Sequence, residues 1–189
     1  MIRGYSAESL FKDVELRVRD VVNYMFCPLK MYLERFLGVK SKETAEASEG
    51  RIAHRAYFHA TLFTAKCLSS NNIVDGQWLN NVVKEALARE GVDVQAYQHV
   101  IERACKLRAL NPPLSLDVEF EKHVSSKELG LAGAIDLVEG HIPVELKLRG
   151  ELREADVVQL TLYALLLEYE LKEDVDYGFV DLIKLLSFS

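Results

Sequence analysis

The sequence has few cysteines, no long apolar run and no excess of positive charge, and each shortage excludes a class of protein. Its three cysteines are widely separated, with no pair at CxxC spacing. Neither a disulfide framework nor a zinc or iron–sulfur site built from cysteine alone therefore fits the chain. No stretch approaches the roughly 20 consecutive apolar residues of a membrane-spanning helix, and the first residues lack the apolar core of a signal peptide. We expect a cytoplasmic protein with no membrane partner.

The net charge of −6 argues against a broadly basic surface that binds nucleic acid by neutralising many phosphates. It leaves a metal-dependent nuclease possible, because such an enzyme gathers acidic side chains around divalent cations, which offset the phosphate charge. Apolar residues make up 49% of the 189 residues and charged residues 28%, which is ordinary for a globular protein. A chain of this length can bury a substantial core, so we predict one domain over residues 1–189.

The first part of the chain, residues 1–112, is predicted to be mainly helical. Residues 1–18 show no strong period and are interpreted as a short strand or an extended arm. The next segment predicts a helix that Pro28 interrupts, with Asp20 as its N-cap and Gly38 as its stop. Apolar side chains at three- and four-residue spacings predict further helices over about 43–68, 77–90 and 94–110.

The second part, residues 113–189, begins after an Asn-Pro-Pro sequence that ends helix formation. Apolar and polar residues then alternate, which is typical of a half-buried strand. We predict strands over 114–124, 131–138 and 142–148 with a tight turn at 139–140, then a helix over 153–171 and a last strand from about 176. This order predicts an α/β fold in which a central mixed sheet is flanked by helices.

Three polar side chains on two neighbouring predicted strands could form a site for hydrolysis. Glu145 and Lys147 are two apart on one strand, so they project from the same face. Asp136 lies on the preceding strand, and the hairpin turn brings it close to Glu145. Two carboxylates held in this way suit Mg²⁺ or Mn²⁺. A neighbouring lysine can orient or deprotonate a water beside a phosphate.

The following helix adds two polar groups to this motif. Gln159 and Tyr163 are four apart and share a helix face, where they can hold a phosphate or a water molecule. Each also has a simpler explanation, since Gln159 fits a surface position and Tyr163 a core position. The same alternatives, surface or packing, stand for His54 on its predicted helix and for Cys27 before Pro28. The combined order of the acidic, lysine and helical positions favours a function.

The segments GAIDLVEGHIPVELKLRG and ADVVQLTLYALLLE, with CPLKMYLER and EGRIAHRA upstream, resemble the CRISPR-associated exonuclease family, the fourth Cas protein. This family lies in the RecB-like branch of the PD-(D/E)xK nucleases. The resemblance implies a restriction-endonuclease-like core and metal-dependent cutting of single-stranded or end-bearing DNA. It also implies work alongside the integrase proteins of CRISPR adaptation.

The resemblance also assigns roles to single positions. Ligands for Mg²⁺ or Mn²⁺ would be a histidine four residues after a glycine, two acidic residues and one backbone carbonyl: His54, Asp136, Glu145 and Leu146. Together with Asp136 and Glu145, the groups expected to act in catalysis are Lys147, Gln159 and Tyr163. Candidate DNA contacts, for which a plain surface role is the alternative, are Arg51, Arg55, Arg149 and Arg153.

One feature of the family is missing. Its members usually hold an iron–sulfur cluster between one N-terminal cysteine and three near the C-terminus. Cys27 matches the first, but no cysteine follows Cys105, and one ligand is too few. We therefore predict no cluster, in a chain that is either truncated or a relative without it.

Three functions remain open on the sequence. The first is an exonuclease of CRISPR adaptation, and the second is a RecB-like repair or viral nuclease with the same chemistry. The third is a DNA-end-binding subunit without turnover. The intact set of Asp136, Glu145 and Lys147 favours an enzyme.

Overall fold

A computed structural model describes residues 15–40, 42 and 44–183, in which a five-stranded sheet lies between two layers of helices. The elements in chain order are β1 (Leu16–Arg17), α1 (Val18–Phe26), α2 (Pro28–Phe36), α3 (Ala45–Ser69), α4 (Gly76–Arg89), α5 (Gln98–Leu110), β2 (Val118–Ser126), β3 (Leu131–Glu139), β4 (Ile142–Lys147), α6 (Glu154–Leu171) and β5 (Phe179–Leu182). No helix within the described ranges is both long and apolar enough to cross a membrane.

The sheet is mixed, and β3 is its central strand. β3 runs antiparallel to β2 over most of its length and antiparallel to β4 near its end. β1 pairs in parallel with the start of β3, and β5 pairs in parallel with β4. The predicted α/β fold, a mixed sheet flanked by helices, is confirmed.

Each face of the sheet carries its own hydrophobic core. On one face α3, α4 and α5 pack against it through buried residues such as Tyr57, Leu79 and Ile101. On the other face α1 and α6 contribute Val18 and Leu166, among others. The helices that precede the sheet in sequence thus cover both faces, and α6 closes the second.

The alternation of side chains reverses in the middle of β2 and β3. Phe120 packs against the α3–α5 core, whereas Val124 is buried in the α1–α6 core, although residues four apart on a regular strand share a face. Leu137 and Ile135 on β3, two apart, are divided between the two cores in the same way. Both strands therefore turn over between these positions.

The reversal is centred on Glu121 of β2. Its φ of +48° lies in the left-handed region, which a residue with a side chain adopts only at a cost. The strand register pairs Phe120 with Leu137 and Lys122 with Ile135, so Glu121 stands opposite Asp136. The backbone irregularity thus lies beside one of the predicted acidic ligands.

The helix boundaries differ from the prediction at two N-termini. Arg17, rather than Asp20, is the N-cap of α1, and Asp20 lies in the first turn, where its carboxylate accepts the Arg17 backbone N–H at 3.1 Å. The predicted break at Pro28 is confirmed, because α2 begins there. α5 begins at Gln98 instead of residue 94. The carboxylate of Asp93 accepts two backbone N–H groups of the intervening turn.

The strand boundaries differ as well. β2 begins at Val118 rather than 114, because the backbone N–H of Leu114 is bound by the buried carboxylate of Glu139 at 2.8 Å. Glu139 itself ends β3, so the turn falls at 140–141, one residue later than predicted. β5 begins at Phe179 rather than 176. Of the arm predicted over residues 1–18, residues 1–14 lie outside the described residues, and Val18 already belongs to α1.

Candidate active site

The two predicted acidic residues meet where β3 and β4 separate. Main-chain pairing between these strands ends at Leu137 and Val144. Beyond that pair the Oδ2 of Asp136 accepts the backbone N–H of Leu146 at 2.9 Å. Asp136 is thereby held against β4, between the positions of Glu145 and Lys147.

Glu145 and Lys147 share the face of β4 that α6 covers, as the alternation on a strand requires. The Lys147 ammonium donates to Glu145 Oε1 at 2.5 Å and to Gln159 Oε1 at 3.0 Å. The Gln159 amide donates to the same Glu145 oxygen at 2.8 Å and to the Tyr163 hydroxyl at 3.2 Å. The structure thus joins four of the predicted residues in one hydrogen-bond network.

Tyr163 reaches this network because β3 carries a glycine beneath its ring. A Cβ atom added to Gly133 would lie 2.7 Å from Tyr163 Cε1, which is closer than real Cβ contacts allow, and 3.1 Å from Val18 Cγ2, which is a tight contact. Gly133 therefore sets the distance between α6 and β3. The glycine three residues before Asp136 has a packing role that its place in the motif alone did not reveal.

His54 lies on α3, on the opposite side of Asp136 from α6. Its Nδ1 is 3.5 Å from Asp136 Oδ1. Burial lowers the pKa of His54, although the Glu145 charge and a hydrogen bond with the Leu146 backbone act in the opposite direction. The imidazole is therefore neutral at pH 7, and a neutral imidazole keeps the lone pair that a metal ligand needs.

The two carboxylates sit in an environment that disfavours charge. Burial raises the pKa of Glu145, repulsion from Asp136 raises it further, and Lys147 opposes both. Burial also raises the pKa of Asp136, against the Leu146 N–H and Lys147. Glu145 Oε2 is buried and has no hydrogen-bond partner among the described residues. A buried acceptor without a partner is costly, and a cation would satisfy it.

The carboxylate and carbonyl oxygens of the candidate site are suitable ligands for a hard divalent cation, although the side chains are not arranged around a common point. Within residues 15–183 as described, no three His, Cys, Asp or Glu side chains already stand together in a way that would hold a metal ion. The partnerless Glu145 Oε2, the Asp136 Oδ1 beside His54 and the Leu146 backbone nevertheless lie around one corner of the sheet. Carboxylate and carbonyl oxygens are the donors that Mg²⁺ and Mn²⁺ prefer.

The four arginines predicted to contact DNA are in different situations. Arg55 is ion-paired with Glu90, and Arg149 is ion-paired with Asp156 near the start of α6. Arg51 lines the same depression as His54, and Arg153 is exposed at the N-cap of α6. Arg51 and Arg153 are the members of this set whose side chains are exposed to solvent.

Cys27 occupies the junction between α1 and α2, where it is half-buried. The other two cysteines lie on α3 and α5, where Cys67 is half-buried and Cys105 is buried. All three are free thiols. Burial raises the pKa of Cys105 to about 12, which is typical of a packing residue and not of a reactive thiol.

Glu121 is a residue of the site that the alternating pattern of β2 does not identify. Glu121 lines the depression that contains His54 and Arg51. Its charge adds to the effect of burial that raises the pKa of Asp136, and it opposes the effect of burial that lowers the pKa of His54. On sequence alone Glu121 is one of several acidic residues on the polar face of a strand. Its left-handed φ and its place opposite Asp136, which come from the register, distinguish it.

Comparison with known proteins bears on the family and the fold of the chain. The sequence model of the PD-(D/E)XK nuclease superfamily matches residues 18–183, from the start of α1 to the residue after β5. A search of curated proteins finds no significant match. Nucleases of this superfamily generally use Mg²⁺ or Mn²⁺, and the observed mixed sheet with flanking helices is consistent with their restriction-endonuclease-like fold. The chain therefore belongs to the PD-(D/E)XK nuclease superfamily.

Proposed function

We propose that this protein is a metal-dependent deoxyribonuclease that hydrolyses phosphodiester bonds at the corner where β3 and β4 separate. The observation that carries the proposal is the buried Glu145 Oε2, which has no partner among the described residues while Asp136, Lys147 and His54 converge beside it. Most buried side-chain oxygens in folded proteins have a hydrogen-bond partner, so this oxygen marks a candidate position for a bound cation.

His54, Asp136, Glu145 and the Leu146 carbonyl would hold Mg²⁺ or Mn²⁺. Such an ion lowers the pKa of water and polarises a phosphoryl oxygen. Lys147 then places its positive charge where the phosphate develops negative charge, and Gln159 keeps the ammonium pointed into the site through its 3.0 Å hydrogen bond. Water would attack phosphorus while the bond to the leaving oxygen breaks, the leaving oxygen would take up a proton in place of the one that the water releases, and no covalent enzyme intermediate would form.

We further propose that the enzyme acts as an exonuclease on single-stranded DNA in CRISPR adaptation, with integrase proteins as partners. The support for this is the resemblance of the CPLKMYLER and EGRIAHRA segments to that family. A RecB-like repair or viral nuclease would have the same site chemistry. Co-purification with CRISPR integrase proteins would support the adaptation role, and cutting without any such association would favour the other.

A nuclease assay tests the activity itself. Wild type, Lys147→Ala and Lys106→Ala are incubated with labelled single-stranded DNA and Mn²⁺, with and without EDTA. Lys106 is an exposed lysine on α5, so its variant controls for loss of charge alone. We expect cutting by wild type and Lys106→Ala, and a loss of at least about a hundredfold in Lys147→Ala. Equal cutting by all three would disprove catalysis at this site.

A DNA-end-binding subunit without turnover is the second candidate. The observation in its favour is that the Lys147 ammonium already binds Glu145 Oε1 at 2.5 Å, with no three ligands in place among the described residues. This candidate predicts DNA binding without cutting in Mg²⁺ or Mn²⁺. It also predicts no metal-dependent rise in melting temperature.

A further inference from the structure

A groove with positively charged walls leads from the protein surface to Lys147. It runs between α1 and α2 on one side and the segment from β4 to α6 on the other, with a volume of about 440 Å³. The lining side chains that bear on its function are Met25, Phe26, Lys30, Lys147, Arg149 and Arg153. Lys147, the lysine of the proposed active site, is one of its lining residues.

The charge of the groove is opposite to that of the whole chain. Four cationic side chains line it, against Glu154 and Asp156. Arg149 and Asp156 neutralise each other in their ion pair, which leaves Lys30, Lys147 and Arg153 against Glu154 among the lining residues. Arg153 is exposed to solvent. On a protein of net charge −6, such a local cluster creates a positive potential that attracts a polyanion.

An exposed aromatic ring stands beside these cations. Phe26, the last residue of α1, is 74% exposed, and Met25 next to it is 39% exposed. The Lys30 ammonium lies 5.7 Å from the centre of the Phe26 ring, within the range of a cation–π contact. Its ion pair with Glu34 is long, at 3.8 Å, so the ammonium stays available to a phosphate.

We propose that this groove binds a single strand of DNA, with one base stacked on Phe26 and neighbouring phosphates on Lys30 and Arg153, so that the backbone is directed to Lys147. An aromatic platform beside a cationic track is the usual way of holding a single strand without reading its sequence. A duplex does not fit this role, because its bases are stacked on each other and present no free face to the ring. The proposal rests on the proposed nuclease function, and it adds the residues that would distinguish a single strand from a duplex.

Binding measured without cleavage tests the groove. Fluorescence anisotropy of labelled oligo-dT in EDTA, with an unlabelled duplex of equal length as competitor, is compared for wild type, Phe26→Ala, Phe26→Trp and Leu29→Ala. Leu29 is 63% exposed on the neighbouring helix α2 and is not among the groove residues, so its variant is the matched control. We expect Phe26→Ala to weaken single-strand binding about tenfold, while Phe26→Trp and Leu29→Ala bind like wild type.

Salt dependence tests the phosphate contacts separately. Lys30→Ala and Arg153→Ala should each lower the slope of log affinity against log salt by about 0.7, the value for one phosphate contact on a single strand. Because Phe26 and Arg153 are exposed, melting temperatures should stay unchanged. An unaltered affinity in Phe26→Ala, a preference of wild type for duplex, or no DNA binding at all would overturn the proposal.

The two proposals can fail independently. Strand binding that depends on Phe26, without metal-dependent cutting, would support the groove and disprove the nuclease. Cutting that depends on Lys147 but is indifferent to Phe26 in both binding and rate would support the nuclease and disprove the groove. A groove that serves a protein partner instead would give this second outcome.

Discussion

The carboxylate of Asp136 in β3 accepts the backbone N–H of Leu146 in β4, over 2.9 Å. The regular ladder between these strands ends at the neighbouring pair, Leu137 and Val144. The Asp136 side chain thus makes the next hydrogen bond between the two strands, where their main-chain pairing has ended. The position of this acid relative to Glu145 and Lys147 therefore depends on the sheet.

The first prediction separates the charge of Asp136 from its hydrogen bond. Asp136→Asn keeps an oxygen for the Leu146 N–H, whereas Asp136→Ala does not. We expect both variants to lose the rise in melting temperature that Mn²⁺ gives the wild type, because the anionic ligand is gone. In metal-free buffer, Asp136→Ala should be the less stable of the two by about 1 kcal/mol. A Mn²⁺ response retained in Asp136→Asn would contradict a ligand role.

The second prediction concerns pH and stability. The pKa of Glu145 is raised on folding, so between its ordinary value of about 4.3 and its folded value the native state binds more protons than the unfolded state. The free energy of unfolding therefore falls as pH rises through this window, with a limiting slope of about 1.4 kcal/mol per pH unit. Urea titrations of metal-free protein from pH 4.5 to 7.5 should show this fall.

Glu145→Gln should flatten this dependence. Asp136, whose pKa is also raised, adds to the fall, whereas His54, whose pKa is lowered by burial, opposes it below about pH 6.5. Glu151→Gln, at an exposed loop position, is the control and should follow the wild type. A stability that rises across the window in the wild type would contradict the raised pKa of this carboxyl.

The third prediction concerns the contact between Gly133 and Tyr163. Gly133→Ala places a methyl group 2.7 Å from the Tyr163 ring, so the ring must move, at a cost of about 1–3 kcal/mol. Gly50→Ala is the matched control, because its Cβ meets no described atom within 4 Å, and alanine in a helix should stabilise α3 by about 1 kcal/mol. Chemical denaturation measures both changes. Equal effects of the two would show that Gly133 is not tightly packed.

The fourth prediction concerns a buried ion pair away from the site. Arg108 and Glu139 are both nearly inaccessible to solvent, and Arg108 also donates to the Tyr57 hydroxyl at 3.0 Å. Arg108→Met leaves the Glu139 carboxylate buried without its cation, which should cost about 3–5 kcal/mol of unfolding free energy. Arg108→Met/Glu139→Gln should recover part of the loss. Arg89→Met, which removes an exposed pair with Glu85, should cost less than about 1 kcal/mol.

The fifth prediction concerns the backbone at Glu121. Asparagine tolerates a positive φ better than a β-branched residue does. With φ at +48°, Glu121→Asn should be more stable than Glu121→Val by about 1 kcal/mol or more, although valine is the better strand former. The order of the two midpoints in urea decides the matter. A more stable valine variant would mean that the left-handed conformation is not kept in solution.

The order of helices and strands could be predicted because the longest elements, such as α3 and α6, contain no proline and are bounded by turn-forming residues. The shared face of Glu145 and Lys147, and that of Gln159 and Tyr163, follows from local geometry alone. The start of β2 could not be predicted, because it depends on the carboxylate of Glu139 binding the Leu114 backbone from 25 residues away. His54 was brought into the site by family resemblance, since no local pattern indicates that α3 crosses Asp136.

The reversal of β3 between Ile135 and Leu137 has a consequence for how this fold can change. Asp136 lies between a residue anchored in one core and a residue anchored in the other, so rearrangement of either helical layer rotates the strand that carries the carboxylate. Loosening the α3–α5 layer, for instance by Leu137→Ala, should therefore disturb catalysis as well as stability. A substitution that changes the packing of one helical layer should therefore also change the geometry of the acidic cluster.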